Sequence, residues 1–314
     1  MKLLVQSAGL AHASLPPRAV HLAIGMFDGV HLGHRSVIEA AVQSARRSGG
    51  IAAVLTFAPH PSVLFRPDHP TQLIMDMETK AAWLHQLGVE VLIVEPFTTN
   101  YAKLAAEEFL PHLRSHLPLL AAVYVGENWR FGQGRRGDVA LLIAEGRRLE
   151  IGVFSAPRVN LDGEPISSTR IRTLLSAGDV VTANRLLGHT YAARGMITAG
   201  KHLGRTIGFP TLNVAWSPGL RPKFGVYAVR VLGSKSAVAL SGVANYGLRP
   251  TVEQSTEPRL ETHIFGECPF GEGDEITVEW LRFLRAEMKY SGLEQLQAQI
   301  ARDVIAARAE FFLP

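Results

Sequence analysis

Residues 19–35 read AVHLAIGMFDGVHLGHR, and this stretch decides the fold of the first half of the chain. AVHLAIG (19–25) is a short apolar run closed by glycine, the pattern of a buried strand. A turn rich in glycine and histidine follows. SVIEAAVQSARRSG (36–49) then places its apolar residues at helical spacing before a glycine stop. IAAVLTF (51–57) is the next buried strand, which completes a βαβ unit. The alternation continues through KAAWLHQLG (80–88, helix), VEVLIVEPF (89–97, strand), LAAEEFLPHLRSHL (104–117, helix) and LLAAVYVG (119–126, strand). The expectation is α/β: a Rossmann-like parallel sheet with helices on both faces. Ligands of such sheets gather at the carboxyl ends of the strands.

The second half has a different texture. After DVVTANRLLG (179–188), which reads as a short helix, come YAARGMIT, FGVYAVRVLG, AVALSGVANYG, RLETHIFG and DEITVEWLRFLR. Short strands set close together and separated by Gly and Pro predict an antiparallel barrel or sandwich. LEQLQAQIARDVIAARAEFF (293–312) has helical spacing and reads as a closing helix. The change of character falls near 183–188, so two domains are expected, 1–183 and 184–314; a length of 314 residues suits two.

Composition narrows the class. Hydrophobic residues make up 47% and charged residues 19%, which supports a real core and excludes a disordered chain. Lys plus Arg is 32 against 28 Asp plus Glu, a net +4 that is small and dispersed. Such an excess suits an anionic small ligand and argues against nucleic acid. The doublets Arg46-Arg47, Arg135-Arg136 and Arg147-Arg148 read as solvated positions. A single cysteine, Cys268, allows no intramolecular disulfide and no cysteine-based zinc site. The start, MKLLVQSAGLAHA, faintly mimics a signal peptide, but Gln6 and Ser7 break the apolar run after Val5. A secretory core needs about 7–15 apolar residues and a membrane span about 18, and neither is present. A cytoplasmic protein with no membrane partner is expected, a monomer or weak homo-oligomer.

Three segments carry chemistry. In GMFDGVHLGHR (25–35), His31 and His34 are three apart at a helix start and point to one side. Both can donate to phosphate oxygens, beside the unpaired N–H groups of the helix end. Gly29 and Gly33 let the backbone approach closely. Asp28 suits either a nucleotide hydroxyl or metal-bound water, or a cap on the Gly29 turn. The histidine pair alone is equally compatible with a turn that does no chemistry. ISSTRIR (166–172) combines hydroxyls with arginine, a phosphate grip, although alone it reads as a helix cap through Ser167 or Ser168. In GKHLGRTIGFPTLNV (200–214), the backbone at Gly200, Gly204 and Gly208 could wrap a nucleotide, and the glycines alone equally suit a barrel loop. Thr211 and Asn213, two apart on an extended segment, offer hard oxygens to Mg²⁺.

Together these segments resemble the bacterial bifunctional riboflavin kinase/FMN adenylyltransferase (FAD synthetase) family. His-x-Gly-His at 31–34 and Ile-Ser-Ser-Thr-x-x-Arg at 166–172 resemble nucleotidyltransferase signatures. LTFAPHPSVLF (55–65) and VGENWRFGQGRRGD (125–138) resemble further segments of that half. Residues 200–213 resemble the riboflavin kinase motif, joined by GVYAV (225–229), GVANYGLRPTV (242–252) and LETHIF (260–265). The likeness spans roughly 20–312.

The resemblance implies conversion of riboflavin to FMN and of FMN to FAD, with ATP as co-substrate and Mg²⁺. It implies that His31 and His34 hold ATP phosphates, and that Ser167, Ser168, Thr169 and Arg172 close on them. Gly25, Phe27, Asp28, Gly29 and Gly33 would shape the nucleotide site, and Asn128 would help place FMN. In the second half, Gly200, Gly204, Arg205, Gly208 and Pro210 would surround the nucleotide. Thr211 and Asn213 would hold the metal, and Glu261 would be the base that deprotonates the riboflavin hydroxyl. Without the family, Glu261 is an exposed strand residue sharing a face with His263. Met26, Ala58 and Trp129 depart from the family pattern, and CPFGEGDEITVEW (268–280) lacks its Asp-Leu-Tyr-Gly turn. Two alternatives stay open: one activity lost, or a flavin-binding protein without catalysis.

Overall fold

Strand β2 (Val20–Ile24) sits near the middle of a six-stranded parallel sheet with β1 (Leu4–Gln6), β3 (Ile51–Ala58), β4 (Val91–Pro96), β5 (Leu120–Gly126) and β6 (Gly152–Ala156). The strand order in this computed structural model is β1-β4-β3-β2-β5-β6, every pair parallel. Residues 3–6, 8–200, 204, 208–248 and 258–311 are described. The chain divides into two units, 1–168 and 169–314.

Alternation along β2 feeds two cores. Leu22 and Ile24 join Leu55, Ile93 and Val123 against Leu110 and Leu113 of α4 (Ala106–His116) and Leu142 of α5 (Val139–Arg148). Ala23 joins Val54, Leu92 and Tyr124 against Val37, Ile38 and Val42 of α1 (Leu32–Ser48) and Leu84 of α3 (Met77–Gln86). Each buried Val, Leu or Ile stabilises by about 1.5–3 kcal/mol. Helix α1 starts four residues earlier than its apolar spacing indicates, because His31 caps it: Nδ1 accepts from the His34 amide at 3.2 Å. The sequence reading did not assign β1, β6 or α5. The three-residue β1 is shorter than any pattern can reveal, and β6 leaves Phe154 42% exposed at the sheet edge.

The alternation of β-α-β-α fixes a switch in strand order. From β2 the chain moves out through β3 and β4, then returns to place β5 on the other side of β2. Loops leaving β2 and β5 therefore diverge and open a crevice between them. A short α2 (Pro61–Phe65) and the hairpin β7 (Asn160–Leu161)–β8 (Glu164–Pro165) complete this unit.

In the second unit, β9 (Ala192–Thr198), β10 (Leu212–Ala215), β11 (Gly225–Gly233), β12 (Leu240–Gly247), β13 (Arg259–Ile264) and β14 (Glu275–Arg285) close an antiparallel barrel, in the order β10-β13-β12-β11-β14-β9. Of the barrel and sandwich that the sequence admits, the barrel is the one formed. Trp280, Tyr227 and Tyr246 fill it, fully buried, with Trp280 and Tyr227 centroids 4.5 Å apart. Helices α6 (Ser168–Ala177) and α7 (Val180–Leu187) precede the barrel. Asn184 of α7 donates to the Trp280 carbonyl at 2.8 Å and accepts from the Tyr191 amide at 2.7 Å. Helix α8 (Leu293–Ala309) closes the chain, its Asp303 clamped by Arg285 through bonds of 2.8 and 2.6 Å. Among the described residues no helix is long and apolar enough to cross a membrane.

Candidate functional site

At the switch point lies a cleft of about 260 Å³. Gly25, Phe27, His31, Gly33 and His34 line one side, from the β2–α1 turn; Glu127, Asn128 and Trp129 line the other, just beyond β5. Phe27 is buried and its ring covers Gly25, where a Cβ would come within 3.0 Å of it. The His31 and His34 rings stack at 3.5 Å and 16°, and His34 meets the edge of Phe27 at 5.3 Å. Because Nδ1 of His31 accepts the capping bond, the neutral ring carries its proton on Nε2. The stacked pair thus joins a hydrogen-bond donor to the amino end of a seventeen-residue helix.

Asp28 is 1% exposed and turned inward. Its carboxylate accepts from the amides of Ile74 (3.0 and 3.1 Å) and Met75 (3.4 Å), so it anchors the loop from beneath. Gly29 has φ 87, a left-handed turn that suits glycine. A Cβ on Gly33 would come within 3.3 Å of the His31 ring. Ser168 opens α6 and donates to the Asp28 carbonyl at 2.8 Å, while Ser167 precedes it, half-buried. Thr169, on the first turn of α6, and Arg172, just beyond it, are counted with the second unit. Asn128 donates to Glu127 at 3.1 Å, and Glu127 pairs with Arg158 at 3.5 Å. Arg158 also lines the cleft; no sequence motif marks it, and only its position just past β6 points to it.

In the second unit, register assembles the other candidates. Glu261 on β13 pairs with Asn213 on β10 and with Asn245 on β12. Leu260, Thr262 and Ile264 alternate into the buried side, so Glu261 and His263 lie on the outer face. Side chains at such paired positions are neighbours. His263 hydrogen-bonds the Pro210 carbonyl at 2.8 Å, which ties β13 to the segment leading into β10. The glycines crowd the metal candidates: a Cβ on Gly200 would collide with Asn213 Nδ2, and one on Gly204 would come within 3.3 Å of Thr211 Oγ1. Gly208 has φ 83. Arg205 lies outside the described residues, as do 249–252 of the GVANYGLRPTV segment. Asn245 lay inside that segment without an assigned role, since only strand register brings it beside Glu261. Phe270, in the departing turn, is buried at the end of the barrel, its ring within 2.7 Å of where a Cβ on Gly233 would lie.

No charged metal cage accompanies these sites: among the described residues, no three His, Cys, Asp or Glu group to hold an ion. Thr211 and Asn213 offer neutral oxygens in close packing with glycine backbone, which fits Mg²⁺ shared with substrate phosphates.

Comparison with known proteins agrees in both halves. The FAD synthetase family model matches residues 14–170 and the riboflavin kinase model residues 187–311. A bifunctional riboflavin kinase/FMN adenylyltransferase of Escherichia coli K12 is 36% identical over 312 residues, covering 99% of this chain and 98% of its own. The protein of that description from Bacillus subtilis 168 is 37% identical over 286 residues, covering 90% and 89%. A solved Streptococcus pneumoniae chain, described as a macrolide-efflux protein, superposes with a TM-score of 0.87 at 28% identity and covers 98% of both chains.

Proposed function

The chain belongs to the bifunctional riboflavin kinase/FMN adenylyltransferase family, and from that premise we propose that it makes FMN and then FAD, each with ATP. The observation that carries this reading is the coincidence of two matched families with two structural units. We assign adenylyl transfer to a domain ending at 183 and phosphorylation to 184–314.

In adenylyl transfer the FMN phosphate attacks the α-phosphorus of ATP and pyrophosphate leaves. The nucleophile is already an anion, so the protein need only align it and offset charge. His31, through Nε2–H, and His34 donate to phosphate oxygens beside the α1 amino end. Ser167, Ser168, Thr169 and Arg172 close on the same phosphates, and Asn128 orients FMN. In the kinase reaction Glu261 accepts the proton of the riboflavin 5′-hydroxyl as that oxygen attacks the γ-phosphorus of ATP and ADP leaves. Thr211 and Asn213 would hold Mg²⁺, which offsets charge on the transferring phosphoryl group. Gly200, Gly204, Arg205, Gly208 and Pro210 surround the nucleotide.

Chromatographic separation of products from riboflavin plus ATP tests the reading. FMN and FAD should both accumulate with Mg²⁺ and neither without it. FMN alone would mean a silent first unit, and neither product in Mg²⁺ would leave flavin binding without catalysis.

A further inference from the structure

The turn that carries His31 is bent against the preference of its residues. Phe27 has φ 47 and Val30 φ 40, on either side of Gly29 at φ 87. L-residues, and β-branched valine above all, adopt this region only when their surroundings hold them there. Three buried side chains supply that hold, and none of them lines the cleft. The Met26 carbonyl accepts from Thr56 Oγ1 at 3.1 Å and from Lys80 Nζ at 2.8 Å. Asp28 takes the amides of Ile74 and Met75, as described above.

Lys80 is the unexpected member. It sits in the first turn of α3 and is 2% exposed. Burial pushes its ammonium below the usual lysine range, and the Asp28 carboxylate pulls it back up. An apolar chain of equal length would pack there without a desolvated charge, so packing alone does not account for a lysine. What the lysine adds is a donor aimed at the carbonyl immediately before the left-handed turn.

We propose that Lys80 is a positioning residue for adenylyl transfer: by clamping the Met26 carbonyl it fixes the turn Phe27–Val30, and so the placement of His31 and the α1 amino end beneath the phosphates. The proposal rests on the reading that the first unit adenylylates FMN. Lys80 touches no substrate. It acts through main chain, and a displacement of about 1 Å in such a site can lower turnover about 10²-fold.

The experiment must separate this role from simple neutralisation of Asp28. Lys80→Met removes both donor and charge. The double variant Lys80→Met/Asp28→Asn restores neutrality while leaving an oxygen to accept the Ile74 amide. Lys80→Arg keeps charge and donor. Each is prepared in the full chain, and its melting curve, FMN formation and FAD formation from supplied FMN are measured. The double variant should fold and form FMN at the wild-type rate, yet lose about 10- to 100-fold in kcat for FAD with KM for ATP changed less than threefold. Lys80→Arg should recover most of that loss. A folded double variant with wild-type kcat, or one whose N-terminal unit does not fold, would make Lys80 purely structural and overturn the proposal. A wild-type chain that makes no FAD would instead sink the functional reading itself.

Discussion

His31 uses one ring nitrogen to start a helix and leaves the proton on the other. The two roles can be separated. His31→Ala should cost about 1 kcal/mol of cap stability and abolish FAD formation, while FMN formation stays near wild type. His31→Asn should restore the cap but not FAD formation. Loss of FMN from a folded His31→Ala protein would contradict separate sites. Glu261 gives the converse experiment. Glu261→Gln keeps shape and hydrogen bonding but cannot take a proton, so the riboflavin kinase kcat should fall about 10²-fold, the lower end for a base in a loose phosphoryl transfer. Adenylylation of supplied FMN should survive; an unchanged FMN rate would return Glu261 to an ordinary strand residue. The sequence offers both residues as candidates because each stands in a motif. It does not offer Asn245 or Lys80, because their placement arises from strand register and from a bond to a carbonyl 54 residues away in sequence.

Elements were legible where apolar spacing is strong, as in α1, β3 and α8, and illegible where burial is one-sided or brief, as in β1 and β6. Within β2, His21 shows how a strand position can be polar and still buried, at 8% exposure. Its Nδ1 meets the Tyr124 hydroxyl at 2.9 Å and its Nε2 meets Ser48 Oγ at 2.8 Å. Ser48 Oγ also reaches the Ser44 carbonyl at 3.0 Å, and all three contacts are satisfied together when Nε2 carries the proton and Nδ1 accepts from tyrosine. Burial, helped by nearby Arg47, lowers the pKa of His21 below 6.5. The unfolded chain therefore binds this proton more readily than the folded one. Stability from the neutral ring is complete above pH 6.5 and declines as pH falls through the depressed folded value. The melting temperature of the first unit should drop from pH 7 to 5. His21→Gln should make that dependence shallower but not flat, since burial lowers the pKa of His112 as well. A variant with the wild-type slope would show that His21 does not drive it.

At the scale of the whole molecule, the proposed division at 183/184 passes through α7, whose Val180, Ala183, Leu186 and Leu187 are fully buried. The change of texture falls there because the strands begin soon after, whereas the two compact units of the structure meet at 168/169, which groups α6 and α7 with the barrel. A fragment 169–314 should fold and make FMN with a melting temperature near that of the same unit in the full chain. Fragment 184–314 should also make FMN but melt several degrees lower, because it loses buried Val180 and Ala183. Both fragments folded but inert would mean that the first unit completes the kinase site. The barrel itself has a consequence for how such a chain can change over generations. Its inside is full of aromatic rings, so Glu261 and its neighbours lie on the wall and not in a container. Along β13, adjacent positions therefore answer to different selective pressures. Leu260, Thr262 and Ile264 are constrained by volume, and Glu261, if it is the base, by chemistry. Substitutions scored for abundance and for turnover should diverge with a period of two, so that this strand can drift in sturdiness and in specificity independently.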